Sequence, residues 1–198
     1  LVRSRGLGDV YKRQGLTSSV TDALNKTTSY VYDAYGDLLT VTDPVGNVVS
    51  STYDVRGHKL TTADPDMGLW KYSYDVLGEL LTQTDAKNQT TSLTYDLLGR
   101  PVRRVENDLT STWSYDTAAN GIGMLSTATG TAANYNRALL YDTHSRPKRV
   151  TLTVNGVAHQ YNAIYNADWR LDTLTYPDGL AVKYIYTPLG YLQQLKDN

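Results

Sequence analysis

The chain contains no cysteine, so no disulfide holds it together and nothing about its redox compartment can be read from it. It contains no phenylalanine and three tryptophans, against seventeen tyrosines. Charge of one sign is also missing. With 19 basic and 20 acidic residues the formal net charge is −1, which excludes the basic footprint of a nucleic-acid binder. No apolar run approaches the ~20 residues that a membrane-spanning helix requires. There is no phosphate-binding loop, no metal-ligand spacing and no nucleophile paired with a base, so the chain is expected to be non-enzymatic, with no cofactor and no metal. What it has in excess, tyrosine at regular spacing in a polar chain, suits strands that are apolar along one side and wet at the tip.

That spacing is the main signal. Tyr32, Tyr53, Tyr74 and Tyr95 are each 21 residues apart, and Gly36, Gly57, Gly78 and Gly99 keep the same step. Asp33, Asp54, Asp75 and Asp96 follow the tyrosines, while Asp22, Asp43, Asp64 and Asp85 open a second turn at the same interval. A fixed period in this range marks a repeat architecture. Beyond Tyr95 the unit continues more loosely through Tyr115-Asp116, Tyr141-Asp142, Tyr165 and Tyr186, with Gly190 after the last.

Each unit holds two short strands and two turns. The strand ending in Tyr-x-Tyr-Asp alternates with period two, the pattern of a half-buried strand. The aspartate opens a four-residue turn such as Asp33 to Gly36, bonding the backbone ahead of it while glycine takes a positive φ. A strand rich in Leu, Val and Thr follows, then a second turn, as at Asp43-Pro-Val-Gly46, Asp85 to Asn88 and Asp22 to Asn25. Asparagine shares the glycine position because it tolerates the left-handed region. Longer steps after Tyr115 coincide with Asn120-Gly121-Ile122-Gly123, Thr129-Gly130 and Asn155-Gly156, where Asn-Gly is a strong hairpin signal. The fold expected is all-β, a tandem array of β-hairpins in antiparallel sheet. Tyrosines of neighbouring repeats, on adjacent strands, are expected to stack into ladders.

The repeat array is expected to run over 15–198. Residues 1–14 are left unassigned, either a degenerate repeat, since Tyr11 and Gly15 keep the register, or translated sequencing debris. The first residue is Leu1, and Asp197 lies eleven residues after Tyr186, as Asp43 lies after Tyr32. The chain therefore reads as a fragment of a longer array.

The recurring YDxxG, the DPxG turn and the variants NGIGML and LTYPDGLAVKYIY resemble the RHS repeats, also called YD repeats, over about Gly15 to Asn198. The resemblance implies hairpin arrays that spiral into a hollow shell, as in bacterial polymorphic toxins, the B and C components of insecticidal toxin complexes, and teneurins. It implies a segment of shell wall that sequesters a C-terminal toxin domain of the same polypeptide, with the remaining shell repeats as neighbours, in a secreted or cell-surface bacterial protein. The alternative it allows is a cell-surface adhesion module whose Tyr- and Trp-lined strands bind glycans. Asn166 and Thr187 depart from the motif Asp, and Ala119, Ser145 and Trp169 from its Gly, which puts those turns in question.

Other features carry less. His58, His144 and His159 share no spacing and are expected in turns or on the surface. Asp64-Pro-Asp-Met-Gly lacks the further ligands and closing Glu of a calcium loop. Asp43-Pro44 and Asp64-Pro65 resemble half of the aspartyl self-cleavage signal of bacterial relatives, but at mid-array repeat spacing they read as structural. Asn25-Lys-Thr and Asn88-Gln-Thr match the glycosylation acceptor, relevant in a eukaryotic secretory setting. Arg100, Arg146 and Arg170 each lie five residues after a motif tyrosine. They are either turn-bracing charges or a cationic row facing a cargo or a glycan.

Overall fold

The computed structural model describes residues 8–11 and 15–197. Residues 1–7 and 12–14, on which most of the unassigned N-terminal segment falls, lie outside the described residues. The chain divides into two compact units, one ending at Leu93 and the other beginning at Thr94.

The first unit contains β1 (Gly8–Tyr11), β2 (Thr17–Thr21), β3 (Thr27–Tyr32), β4 (Leu38–Thr42), β5 (Val48–Tyr53), β6 (Lys59–Asp64), β7 (Gly68–Tyr74), β8 (Leu80–Thr84) and the start of β9 (Thr90–Tyr95). The second contains β10 (Pro101–Val105), β11 (Thr110–Tyr115), β12 (Leu125–Gly130), β13 (Tyr135–Tyr141), β14 (Pro147–Val154), β15 (Val157–Tyr165), β16 (Leu171–Thr175), β17 (Ala181–Tyr186) and β18 (Leu192–Asp197), with one short 3-10 segment at Ala132–Asn134. Within each unit consecutive strands pair antiparallel. Among the described residues the protein is all-β, as the two-residue periodicity requires.

The motif tyrosine marks the same irregularity in seven of the repeats. Val31 opposes Thr40 but Tyr32 opposes Leu38, so Leu39 is the extra residue of a β-bulge. The same shift falls immediately before Tyr53, Tyr74, Tyr115, Tyr141, Tyr165 and Tyr186.

Directly opposed residues share a face, which separates two chemistries in the first unit. One face carries Tyr30 opposite Val41, Val41 opposite Val49, and Thr62 opposite Trp70, with Tyr72 beyond. The other is dominated by hydroxyls: Ser29 opposes Thr42, Thr40 opposes Ser50, and Thr52 opposes Thr61. Hydroxyl pairs bridge its strands, Thr52 to Thr61 at 2.7 Å and Thr84 to Thr90 at 2.9 Å. The second unit repeats the split. Trp113 opposes Ala128 and Val150 opposes Tyr161 on one face, while Ser114 bonds Thr127 at 2.7 Å on the other.

Neither unit builds a thick core. Among the described residues only Gly121, Ser126, Leu139, Tyr141 and Thr173 are buried, all in the second unit. Four of them belong to one feature, the nine-residue loop 116–124 and the strands beneath it. Ser126 Oγ accepts the backbone N–H of Thr117 and Ala118, each at 3.0 Å, and the loop folds over Tyr141. A Cβ on Gly121 would meet the Tyr141 ring at 2.8 Å, so this glycine is there for space. The expectation of a tight hairpin at Asn120-Gly121 is therefore corrected: the pair lies inside a longer loop. Asn155-Gly156 does form a two-residue turn, with φ of 49° and 80° and Val154 opposite Val157.

Candidate functional site at the tyrosine turns

The residues that recur come together at the turn after each motif tyrosine. In the turn at Asp33 the Asp33 N–H donates to the Asp37 carbonyl at 3.0 Å, and Gly36 N–H returns to the Asp33 carbonyl. One carboxylate oxygen, Oδ1, accepts from the N–H groups of Tyr35 at 2.8 Å and Asp37 at 2.9 Å. Asp54, Asp75, Asp96 and Asp142 make the same pair of bonds at 2.8–3.0 Å. The last turn residue is left-handed throughout, with φ of 97° at Gly36, 81° at Gly57, 87° at Gly78, 74° at Gly99 and 87° at Gly190.

The departures from the motif keep this geometry where the loop length is kept. Ser145 and Trp169 take φ of 60° and 69° in place of glycine. Asn166 Oδ1 accepts the Arg170 N–H at 2.9 Å, and Thr187 Oγ1 accepts the Tyr191 N–H at 3.1 Å. At Ala119 the turn is rebuilt into loop 116–124, where Asp116 bonds Gly123 instead.

The tyrosine hydroxyl ties one repeat to the one before it. Tyr53 donates to the Leu38 carbonyl at 3.0 Å, Tyr115 to Pro101 at 3.0 Å, Tyr141 to Leu125 at 2.6 Å, Tyr165 to Pro147 at 2.9 Å and Tyr186 to Leu171 at 2.9 Å. The Leu38, Leu125, Pro147 and Leu171 carbonyls lie beside a bulge, where the ladder is interrupted, and the phenol satisfies them.

The expected tyrosine ladder is corrected. The motif tyrosines end alternate strands, about 9.6 Å apart at the usual strand spacing, too far for ring-on-ring contact. The space between is filled by the residue five after the previous tyrosine. His58 stacks on Tyr74 with centroids 5.0 Å apart, Arg100 lies 4.3 Å over Tyr115, Arg146 lies 4.2 Å over Tyr165, and Arg170 lies 5.5 Å over Tyr186. This column gives the motif glycine a second reason. A Cβ at Gly78 would meet His58 Nε2 at 2.8 Å, and one at Gly190 would collide with the Arg170 guanidinium. Where Trp169 replaces the glycine, Arg146 lies 5.4 Å from its ring.

Charge is largely settled within the turns. Arg100 Nε donates to Asp96 Oδ2 at 2.8 Å and its guanidinium reaches Asp116 at 2.6 Å; Arg146 Nε donates to Asp142 Oδ2 at 2.8 Å. The Arg100 side chain holds the carboxyls of Asp96 and Asp116 below the usual range, and the two acids raise the Arg100 guanidinium in turn. At Asp142 partial burial pushes the carboxyl up, but the Arg146 side chain and the turn N–H groups outweigh it and bring it down to about 2. The His58 N–H and ring similarly lower Asp54. Burial pushes the Tyr74, Tyr141 and Tyr165 phenols up. For Arg100 and Arg146 this is the turn-bracing arrangement.

Asp43 and Asp64 are turn acceptors too. Asp43 takes the N–H of Val45 and Asn47, each at 2.9 Å, and the Asn47 amide at 2.7 Å, while Asp64 takes Asp66 and Met67. Among the described residues no three His, Cys, Asp or Glu side chains gather as a metal site would require. None of the described helices is long and apolar enough to cross a membrane.

No curated protein matches the chain. Among solved structures it is similar to a TcdB2-TccC3-Cdc42 structure (15% identity, TM-score 0.45), covering 97% of this chain and 14% of that one. It is similar also to the Tc holotoxin pore of Photorhabdus luminescens (16% identity, TM-score 0.44, 97% and 15% covered) and to a porin-like protein from Bacteroides uniformis (13% identity, TM-score 0.40, 97% and 92% covered). The chain thus spans about one-seventh of the first two of these structures. A family model described as RHS Repeat matches residues 11–48, 32–66 and 74–108. The matched stretches are RHS repeats, and beyond them the motif tyrosine and a left-handed turn residue recur as far as Gly190.

Proposed function

We propose that these repeats are a length of wall, non-enzymatic, that surrounds and sequesters a toxin domain carried C-terminally on the same polypeptide, in a secreted or surface-delivered bacterial protein. The observation that carries this is the one-layer build. With five buried residues among those described, the strands within each unit leave both sheet faces open to other material. Hairpins of this kind gain stability from neighbours stacked edge to edge, which favours long arrays over independent globules. The split between an aromatic-aliphatic face and a hydroxyl face gives such a wall two unlike surfaces.

The test is limited proteolysis of the full-length protein from which the repeats come. Sequestration predicts that a domain following the array resists protease while the array is intact and becomes sensitive once the array is opened by denaturant. A following domain cleaved at the same rate in both states would contradict it.

A further inference from the structure

The two departures from the motif aspartate, Asn166 and Thr187, flank one side chain, Arg170. In the turn at Asp96 the two carboxylate oxygens divide the work. Oδ1 accepts the backbone N–H of Arg100 at 3.0 Å and Oδ2 accepts its Nε at 2.8 Å, while Asp116 of the next turn takes the far side of the guanidinium. In the turn at Asp142 the same two bonds hold Arg146, at 3.0 and 2.8 Å.

At Arg170 both acids are gone. Asn166 Oδ1 keeps the backbone bond, at 2.9 Å, so the amide nitrogen stands where the second carboxylate oxygen stood. That nitrogen donates and cannot accept from a guanidinium. Thr187 occupies the position of the next acid, and its Oγ1 accepts the Tyr191 N–H. Among the described residues no carboxylate lies within ion-pair distance of Arg170, unlike Arg100 and Arg146. The guanidinium is nevertheless held, half-buried, over Tyr186 and against Gly190. It lines a cavity of about 540 Å³ together with Asn166, Lys183 and Thr187. Lys183 faces Asp172 at 3.8 Å, and Asp168 also lines the cavity.

We propose that the Arg170 guanidinium and the Asn166 side-chain amide form a binding site for a carboxylate supplied from outside these repeats. Both groups border the same space, and the acceptor that completes the pattern at Arg100 and Arg146 is missing among the described residues. A planar monoanion suits the guanidinium fork, whereas Asp168 and Asp172 would repel a dianion. The site stands independently of the sequestration reading.

The test follows the Arg170 Nε resonance of the ¹⁵N-arginine-labelled 198-residue chain. It is titrated with sodium acetate and with a blocked glutamate-containing tripeptide at constant ionic strength. A saturable shift at Arg170, with Arg100 and Arg146 unmoved, is expected. Response to acetate identifies a site open to any small carboxylate, and response to the peptide alone identifies a side chain of a polypeptide; both support the site. Asn166→Asp installs the internal acid of the other turns and should weaken binding about tenfold or more. Arg170→Gln, labelled uniformly with ¹⁵N, should abolish the saturable shift of the Asn166 side-chain amide that the uniformly labelled parent chain gives. No saturable shift with either probe, or undiminished binding in Asn166→Asp, would overturn the proposal.

Discussion

The turn from Asp142 to Arg146 and the turn from Asn166 to Arg170 have the same backbone and differ at their first position by a single atom. In both, Oδ1 accepts the N–H four residues on, at 3.0 and 2.9 Å. In both the left-handed position is occupied by a residue other than glycine, Ser145 in one and Trp169 in the other. Only the second side-chain atom changes, oxygen against nitrogen, and with it the state of the arginine. Arg146 is paired with its own turn, while Arg170 lies over Tyr186 with no acid partner among the described residues. Turn geometry therefore depends on the first oxygen and the left-handed residue. Charge settlement depends on the second.

The largest effect should come from breaking the geometry itself. Gly78→Val places a β-branched residue at φ of 87° and drives its Cβ into His58, so we expect a loss of about 2–3 kcal/mol, read by urea unfolding. Unchanged stability would mean the glycine serves neither purpose. Removing the first acceptor, as in Asn166→Ala, should cost about 1 kcal/mol by leaving the Arg170 N–H without its partner. Tyr186→Phe removes the bond to the Leu171 carbonyl and should also cost about 1 kcal/mol, in the same assay.

Acid separates the two turns. The Asp142 carboxyl lies below its ordinary 3.8 in the folded protein, at about 2, so its contribution is complete above about pH 4 and is lost as pH falls from there through about 2. The Asn166 turn has no matching acid-sensitive group. A carboxyl ¹³C titration of Asp142 should give a midpoint near 2; one near 3.8 would show that Arg146 does not hold it. The smallest change is expected from Gly46→Asn. No neighbour lies within 4 Å of a Cβ there, and Asn25 and Asn88 already take the left-handed conformation at the equivalent position, so stability should move by less than about 0.5 kcal/mol.

Much of this was legible in the sequence. Tyr32, Asp33 and Gly36 announce a strand end, an acceptor and a positive φ, and the step of 21 residues repeats all three. The array of hairpins follows from those signals. The column between tyrosines does not, because spacing along the chain says nothing of the gap left between alternate strands. Arg100, Arg146 and Arg170 could be seen to share a position five residues after a tyrosine, but not to lie, with His58, over the tyrosine that follows. The hydroxyl face was equally hidden, since Ser and Thr read as generic strand residues until register sets them opposite one another. Asn166 and Thr187 looked like damaged turns; the backbone tolerates both because each still offers one oxygen. Ala119 itself is not left-handed, Asn120 after it takes a φ of 58°, and the chain spends nine residues between the strands, covering Tyr141.

The most direct test of the account is cryo-electron microscopy of the full-length protein that carries these repeats. The account predicts residues 15–197 as single-layer hairpin wall, with density for enclosed polypeptide against one of its two faces. Residues 15–197 folded in another way, or forming such a sheet with both faces open to solvent and no polypeptide enclosed, would contradict it.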